Sequence, residues 1–489
     1  MDQSIQSGNV VLTNPPNHMS QRVLPNIISS EVLVPSSIEV VFAPKDLNPL
    51  QTLQTQYVLL NMDGKLWLVD IESINRKTNQ GVAAKLNLSN HEDGGLLLRR
   101  ALRAQFPSIN ALSVSRSFWD DPNTICNHGI EFNPSGTSNG YLNLWVGPTV
   151  QPAEGSWLLI SNFLLEVICD NNQECFEYLV SYIAHALQKP EEKPGVMIAL
   201  LSGQGTGKGT LARILRKIWS ATFLQIHNID SVTGNFNASL ERAFIVFMDE
   251  ALFSGDRRAS DALKSVVTEL VIQINEKHQP ARQISSYHRF FAATNAEHFK
   301  NTERDDRRDV VLRLSECRKG DHEYWQALNH EIDNGGVEAM AHDLLAMDLS
   351  EFNVRNKPDT NELLEQKLQS LGPIQRWWHD CLYRGMLHSE KVQDSFDELN
   401  ADSNAWPDFL GTLNIIEQVC DFAGGKVYKR PSGIDLVRSF KTLCPSALPT
   451  QKTIAKSRYR GFIVPSLQQA RLDFEEYIGS KVQWPEALL

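Results

Sequence analysis

The stretch GVMIALLSGQGTGKGTLARILRKIW, residues 195–219, constrains the fold more than any other part of the chain. A continuous apolar run of strand length leads directly into a glycine-rich turn. The turn leads into a segment with apolar residues at helical spacing. An apolar run with no polar alternation belongs in a strand covered on both faces, as in a parallel sheet flanked by helices. The turn reads Gly203, Gln204, Gly205, Thr206, Gly207, Lys208, Gly209, Thr210. Its glycines permit positive φ angles, so successive backbone N–H groups can face one side and bind phosphate oxygens. A helix starting near Lys208 would add its positive end.

The usual phosphate-loop pattern is G-x-x-x-x-G-K-[ST]. Here Ser202 occupies the first glycine position and Gly209 the hydroxyl position, with Thr210 one step later. Lys208 is expected to reach the β- and γ-phosphates of a nucleotide, and Thr210 to supply a hydroxyl to Mg2+. The loop does not name the reaction, because GKGT also occurs in nucleotide kinases. A structural glycine turn is the alternative without chemistry.

Two more apolar runs end in polar residues. AFIVFMDE places Phe244 to Met248 ahead of Asp249 and Glu250. Such a strand end suits a magnesium-dependent nucleotide hydrolase, with Asp249 on the metal and Glu250 polarising water. RFFAATNA ends in Thr294-Asn295, and an asparagine at a sheet's carboxyl edge can sense a γ-phosphate. DDRRD follows, offering Arg307 or Arg308 as an arginine finger for a neighbouring subunit, or else a solvated charge cluster. Between these runs, LKSVVTELVIQINEKHQPARQISSYHRF suggests a β-hairpin with a basic, polar tip.

Elsewhere the signals are plainer. Residues 1 to about 50 are polar and proline-dotted and predict a poorly ordered arm or a few short strands. QYVLLNMDGKLWLVDIES predicts a hairpin about Asp63-Gly64. Asp70 and Glu72 lie two apart, the spacing of a two-metal carboxylate pair on a strand, but exposed acids on a hairpin are the favoured reading. CFEYLVSYIAHALQKP predicts an amphipathic helix ending near Pro190, and NELLEQKLQSLGPIQRWWHDCLYRGML a helical stretch broken at Gly372-Pro373. The final 120 or so residues read as short helices plus a basic stretch.

Strands alternating with helices imply a mostly parallel α/β sheet. A chain of 489 residues suggests about three domains, expected at 1–150, 151–350 and 351–489. The seven cysteines form no CxxC pair, which points away from a disulfide framework or a zinc site and towards a reducing compartment. No run approaches the roughly 18 apolar residues of a membrane span, and no signal peptide is evident. The net charge of −11 hides a gradient. Nine basic residues between Lys426 and Arg460, among them Lys429, Arg430, Arg438, Lys441, Lys456, Arg458 and Arg460, face the single acid Asp435. That is the footprint of a phosphate backbone.

The order GxGTGKGT, apolar-DE, K-S-x-x-T-E…EK, strand-TN and RR resembles a superfamily 3 helicase. It is most similar to the phage and plasmid group related to the C-terminal half of poxvirus primase-helicases and phage primase-polymerases. LNLWVGPTVQPAEG and GPIQRWWHDCL add to the likeness, which is good over about 140–380 and poor over 1–100. The resemblance implies an AAA+-like P-loop NTPase core, with ATP and Mg2+ held between subunits of a ring, usually a hexamer. Lys208 and Thr210 then belong to the first motif, Asp249 and Glu250 to the second, Asn295 to the third. Lys264, Lys277 and His278 fall in the hairpin motif that lines the pore and grips single-stranded DNA. Arg307 or Arg308 is the finger.

The resemblance further implies 3′ to 5′ translocation in phage, satellite or plasmid replication, in the cytoplasm of a bacterial host. The C-terminal region is expected to be a mainly helical, winged-helix-like module on duplex DNA. The N-terminal region is expected to be a small α+β adaptor or oligomerisation domain, with any primase or polymerase supplied by a partner. Two other readings stay open: an ATP-binding assembly ring with little hydrolysis, and a nucleotide phosphotransferase.

Overall fold

The computed structural model describes residues 48–485 apart from 63, 76–87, 137–138, 235–236, 251–256, 276–280, 297–307, 388–405, 424–431 and 455–456. The expected N-terminal arm therefore lies outside the described residues, as do Lys277, His278, Arg307, Lys429, Arg430 and Lys456.

Helix α1 (Pro49–Gln56) is capped by Asn48 and leads into strands β1 (Tyr57–Met62) and β2 (Lys65–Asp70). These form the expected hairpin, closed by the pair Met62↔Lys65, with Gly64 at φ +74°. Helix α2 (Ile71–Asn75) follows immediately. Asp70 and Glu72 are therefore not neighbours on one strand. Asp70 ends β2, and its carboxylate accepts the Glu72 N–H at 3.0 Å, starting the helix instead of pairing with a second acid.

Strand β3 (Leu88–Ser89), helices α3 (His91–Gln105) and α4 (Ala111–Asp120) and strand β4 (Cys126–Asn127) complete the first unit, with sheet order β3-β2-β1-β4. Alternation divides its strands. Leu59 and Leu68 pack with Leu98, Leu102 and Phe118 of the helices, whereas Val58, Leu60 and Val69 join the core of the central unit. Short parallel strands β5 (Ile130–Glu131) and β6 (Leu142–Asn143) connect onward.

Ahead of the central sheet run α5 (Leu158–Asn162), a π-helical turn (Phe163–Ile168) and α6 (Gln173–Gln188). Then come β7 (Met197–Leu201), α7 (Lys208–Ile218), β8 (Phe223–Ile226), α8 (Asp230–Thr233), β9 (Ile245–Asp249) and α9 (Arg257–Thr268). A hairpin of β10 (Val271–Ile274) and β11 (Arg282–Ser285) is followed by β12 (Arg289–Thr294), β13 (Asp309–Arg313), α10 (His322–Asp333) and α11 (Gly336–Ala346).

Five strands form a wholly parallel sheet of order β13-β7-β12-β9-β8. Side-chain alternation sends Ile198, Leu200, Phe247, Phe291 and Leu312 to one face, where α6, α7 and α11 cover them. Met197, Ala199, Val246, Met248 and Phe290 face the other side, with Leu263 and Val267 of α9. Both faces being covered explains why these strands read as unbroken apolar runs.

The last unit comprises α12 (Asn361–Gln369), α13 (Pro373–Arg384), β14 (Phe409–Gly411), α14 (Thr412–Phe422), α15 (Gly433–Leu443), β15 (Leu448–Ile454), β16 (Ser457–Ile463) and α16 (Leu467–Ile478). Its antiparallel sheet, order β14-β16-β15, packs with Trp377, Trp378, Phe440 and Phe474 in a core of its own. The basic stretch is thus partly a β-hairpin, an element that composition alone did not distinguish from loop. Leu363 of α12 joins the central core, and Arg313 at the end of β13 pairs with Glu365 at 3.0 Å, so the last unit is tied to the sheet.

A buried polar chain binds the hairpin base to the sheet. Lys193 Nζ donates to Val266 O (2.7 Å), Glu269 O (2.6 Å) and Ser286 Oγ. Ser286 Oγ lies 2.8 Å from His288 Nδ1, and His288 Nε2 lies 2.9 Å from Leu240 O. Burial, reinforced by the Lys193 charge, pushes the His288 imidazole down to about 4. It stays neutral in the fold while an unfolded chain would protonate near 6.5. Its contribution is therefore complete above about pH 6.5 and is lost as pH falls towards 4, to the extent of about 3 kcal/mol. Urea unfolding of wild type and His288→Gln between pH 7 and 4 should show a steeper loss for wild type. Parallel profiles would contradict this.

Candidate functional site

The site is assembled by strand register. In the sheet, Ala293 of β12 stands opposite Leu200 of β7 on one side and Asp249 of β9 on the other. Three carboxyl-terminal strand ends are therefore level, and the residues that follow them converge. Ser202 N donates to Thr294 O at 3.2 Å, and Glu250 N donates to Ala293 O at 2.8 Å.

Between β7 and α7 the glycine-rich turn arches over this edge. Gly205 takes φ +76° and Gly207 φ +107°, and α7 begins at Lys208. Ser202, in place of the usual first glycine, has a structural use. Thr206, buried in the loop, donates from Oγ1 to Ser202 Oγ at 2.6 Å and to Gly203 O at 3.1 Å, closing the loop across its base. Gln204 and Gly205 are exposed at its crest. Gly209 and Thr210 lie in the first turn of α7, with Thr210 N bonded to Gly207 O at 2.9 Å.

The Lys208 side chain is only 11% exposed. Its ammonium donates to Glu250 Oε1 at 3.3 Å, to Ser202 O at 3.4 Å and to Asn295 Oδ1. Glu250 Oε2 accepts the Asn295 N–H at 3.2 Å. The lysine that begins α7, and the glutamate and asparagine that follow β9 and β12, thus form one closed cluster. Glu250 sits at φ +55°, a left-handed conformation that costs a non-glycine residue about 1–3 kcal/mol and that gathers at functional sites. Asp249 faces a different neighbourhood: its Oδ2 accepts from Gln225 Nε2 at 3.0 Å and lies 3.8 Å from His227 Nδ1.

The remaining assigned residues are dispersed. Lys264 lies on α9 and not in the hairpin. Its side chain is 10% exposed and its ammonium is 3.2 Å from Asp261 of the same helix. Arg308 lies at the amino edge of the sheet, where its carbonyl accepts from Met197 N at 2.7 Å. That is a strand length, roughly 16 Å, from the loop, so Arg308 and Lys208 do not meet within one chain. Arg458 and Arg460 are exposed on β16, and Arg438 and Lys441 are exposed on α15.

Several neighbours of the loop escaped the sequence reading. Gln225 and His227 come from the end of β8, where a polar residue interrupts an apolar strand. A Cβ on Gly207 would lie 2.8 Å from the Phe163 ring and 2.9 Å from the Trp325 ring. One on Gly203 would lie 2.8 Å from Glu316 Oε1. These contacts come from segments more than a hundred residues away in one case, and no local pattern marks them.

A family model described as a family of unknown function (DUF5906) matches residues 200–308, from the end of β7 to the start of β13. Over 210 residues the chain is 27% identical to the DNA primase-polymerase of Nitratiruptor phage NrS-1, covering 41% of this chain and 28% of that protein's length. The apo structure of the NrS-1 C-terminal region (305–718) superposes with a TM-score of 0.60 at 17% identity, covering 86% of this chain and all of that one. Its A form gives 0.61, with 86% and 99% covered. The chain is thus related in sequence to a phage primase-polymerase, and it shares the fold of that protein's C-terminal region.

The loop glycines divide sharply in what they tolerate. Gly207→Ala meets both a positive φ and two rings and should cost on the order of 1–3 kcal/mol. Gly209→Ala meets nothing within 4 Å and should gain about 0.4–1 kcal/mol. Chemical unfolding of the two variants beside wild type checks this. Equal midpoints would show that the loop is not held as described.

Proposed function

We propose that the chain is an ATP-driven DNA helicase or translocase of the superfamily 3 type, acting in phage DNA replication in the host cytoplasm. The observation that carries this is the meeting of Lys208, Glu250 and Asn295 beneath a glycine-rich loop at the carboxyl edge of a parallel sheet. The relation to a phage primase-polymerase supports the replicative setting. Strand order β13-β7-β12-β9-β8, with the loop on β7 between β13 and β12, supports a P-loop NTPase core of the AAA+ kind.

The residues fit a magnesium nucleotide. Loop N–H groups, the amino end of α7 and the Lys208 ammonium form a cationic cradle for phosphates. Thr210 and Asp249 would hold Mg2+, which neutralises phosphate charge when bound. In the structure Lys208 is held by Glu250 and Asn295. Turning Lys208 to phosphate frees the Glu250 carboxylate to polarise an attacking water, and leaves Asn295 to position that water. The Arg307-Arg308 pair belongs, in this reading, to a neighbouring subunit's site, consistent with the distance of Arg308 from its own loop. A hexameric ring would repeat the hairpin between β10 and β11 around single-stranded DNA.

The order α13, β14, α14, α15, β15, β16 supports a winged-helix reading of the last unit. There α15 would lie in the major groove of duplex DNA, and the β15–β16 hairpin would touch the backbone. A separate primase or polymerase would supply synthesis.

Steady-state ATP hydrolysis, measured with and without single-stranded DNA at low and high salt, tests the main reading. Stimulation that fades with salt is expected. Lys208→Ala should lose both binding and turnover. Glu250→Gln should still bind ATP while turnover drops roughly 100-fold or more. Hydrolysis indifferent to DNA, phosphate transfer to an added nucleotide, or normal turnover in either variant would reject it. In a separate assay, Arg458→Ala with Arg460→Ala should lower the salt slope of duplex binding by about 2, one per lost phosphate contact. An unchanged slope would remove the hairpin from the DNA surface.

A further inference from the structure

Beyond β13 the chain turns back over the glycine-rich loop. Leu314 N donates to Leu201 O at 2.9 Å, and Ser315 N donates to Val167 O at 2.8 Å. The segment after β13 is therefore anchored both to the strand that carries the loop and to the π-helical turn. Lys319 N then closes a tight turn onto Glu316 O at 3.0 Å.

In that turn the Lys319 ammonium and the Glu316 carboxylate pair at 2.9 Å. They stand against the first residue of the loop: a Cβ on Gly203 would lie 2.8 Å from Glu316 Oε1 and 3.8 Å from Lys319 Nζ. Trp325, on the same segment, closes over Gly207 at the loop's other end and donates from its indole N–H to Arg318 O at 2.8 Å. One stretch of chain thus touches both ends of the loop.

The two adjacent cations in this stretch differ in commitment. Arg318 donates twice to Glu166 Oε2, at 2.7 and 3.2 Å, and lies over the Tyr324 ring at 4.6 Å. Lys319 is 49% exposed, on a flexible stem, and among the described residues its ion-pair partner is Glu316. A triphosphate in the loop would bring several negative charges close to both members of the pair. Glu316 would be repelled and Lys319 attracted, in a setting where exposed pairs themselves contribute little.

We propose that Lys319 is a phosphate-contacting residue of the nucleotide site, whose ammonium exchanges Glu316 for the phosphates of a bound nucleotide. Glu316 opposes binding twice, by occupying the ammonium and by presenting a like charge. The inference rests on the nucleotide reading above and adds to it a cation that none of the loop, acidic-strand or asparagine motifs contains.

Equilibrium binding of a fluorescent ATP analogue with Mg2+ to the full chain tests it. Lys319→Ala should bind roughly tenfold more weakly, the scale of one charge-assisted hydrogen bond. Lys319→Arg should recover most of that loss, and Glu316→Gln should bind more tightly than wild type. An ion pair that only shapes the turn would make Lys319→Ala and Glu316→Gln shift binding in the same direction, and that result overturns the proposal. Lys208→Ala separates the two levels. If it loses binding while Lys319→Ala matches wild type, only the Lys319 assignment falls. If Lys208→Ala binds like wild type, or wild type does not bind, the nucleotide reading falls and this inference with it.

Discussion

Register between β7, β12 and β9 is the constraint on which the rest depends. Because Leu200, Ala293 and Asp249 are level across three parallel strands, the residues just beyond them share one small volume. A slip of one residue in β9 would point Glu250 to the other face of the sheet, and a slip in β12 would do the same to Asn295. Lys208 would then lose the two side chains that now hold it. Each of these strands splits its apolar residues between two cores, one on each face of the sheet.

Around this frame, the site is held both from within the loop and from distant segments. Gly207 is a glycine because Phe163 and Trp325 occupy the space a side chain would need. Ser202 and Thr206 replace a glycine with a hydroxyl pair that ties the loop's base. Glu250 is kept in a left-handed conformation by its backbone bond to Ala293 and its carboxylate bond to Asn295 N. The segment leading into β9 is also bound to the hairpin: Asn237, eight residues before the strand, donates to Gln273 O at 2.9 Å and accepts from Asn275 N at 2.8 Å.

Much of this was legible in advance. Apolar runs bounded by polar ends located β7, β9 and β12 within a residue or so, because strands covered on both faces leave an unbroken hydrophobic record. The β1–β2 hairpin was legible from one tight-turn pair, and the break between α12 and α13 from Gly372-Pro373. Other features were not. Asp70 and Glu72 looked like strand neighbours, but an aspartate at a strand's end can as readily start a helix, and spacing cannot tell the two apart. The resemblance placed Lys264 in the hairpin motif, yet it lies on the preceding helix, α9, with its ammonium 3.2 Å from Asp261. Gln225, Glu316, Lys319 and Trp325 reach the site by folding alone.

The sequence by itself determined the elements and the chemistry available: a glycine-rich turn between a buried strand and a helix, carboxylates and an asparagine at strand ends, and a basic run near the C-terminus. These are local properties, written in hydrophobic period, turn residues and charge. Only the tertiary structure decided which of these groups meet. The convergence of Lys208 with Glu250 and Asn295, the separation of Arg308 from its own loop, and the placement of Glu316 and Lys319 against Gly203 all follow from strand order and register. Those are set by pairings between residues tens to more than a hundred positions apart, and no short window of sequence contains both partners.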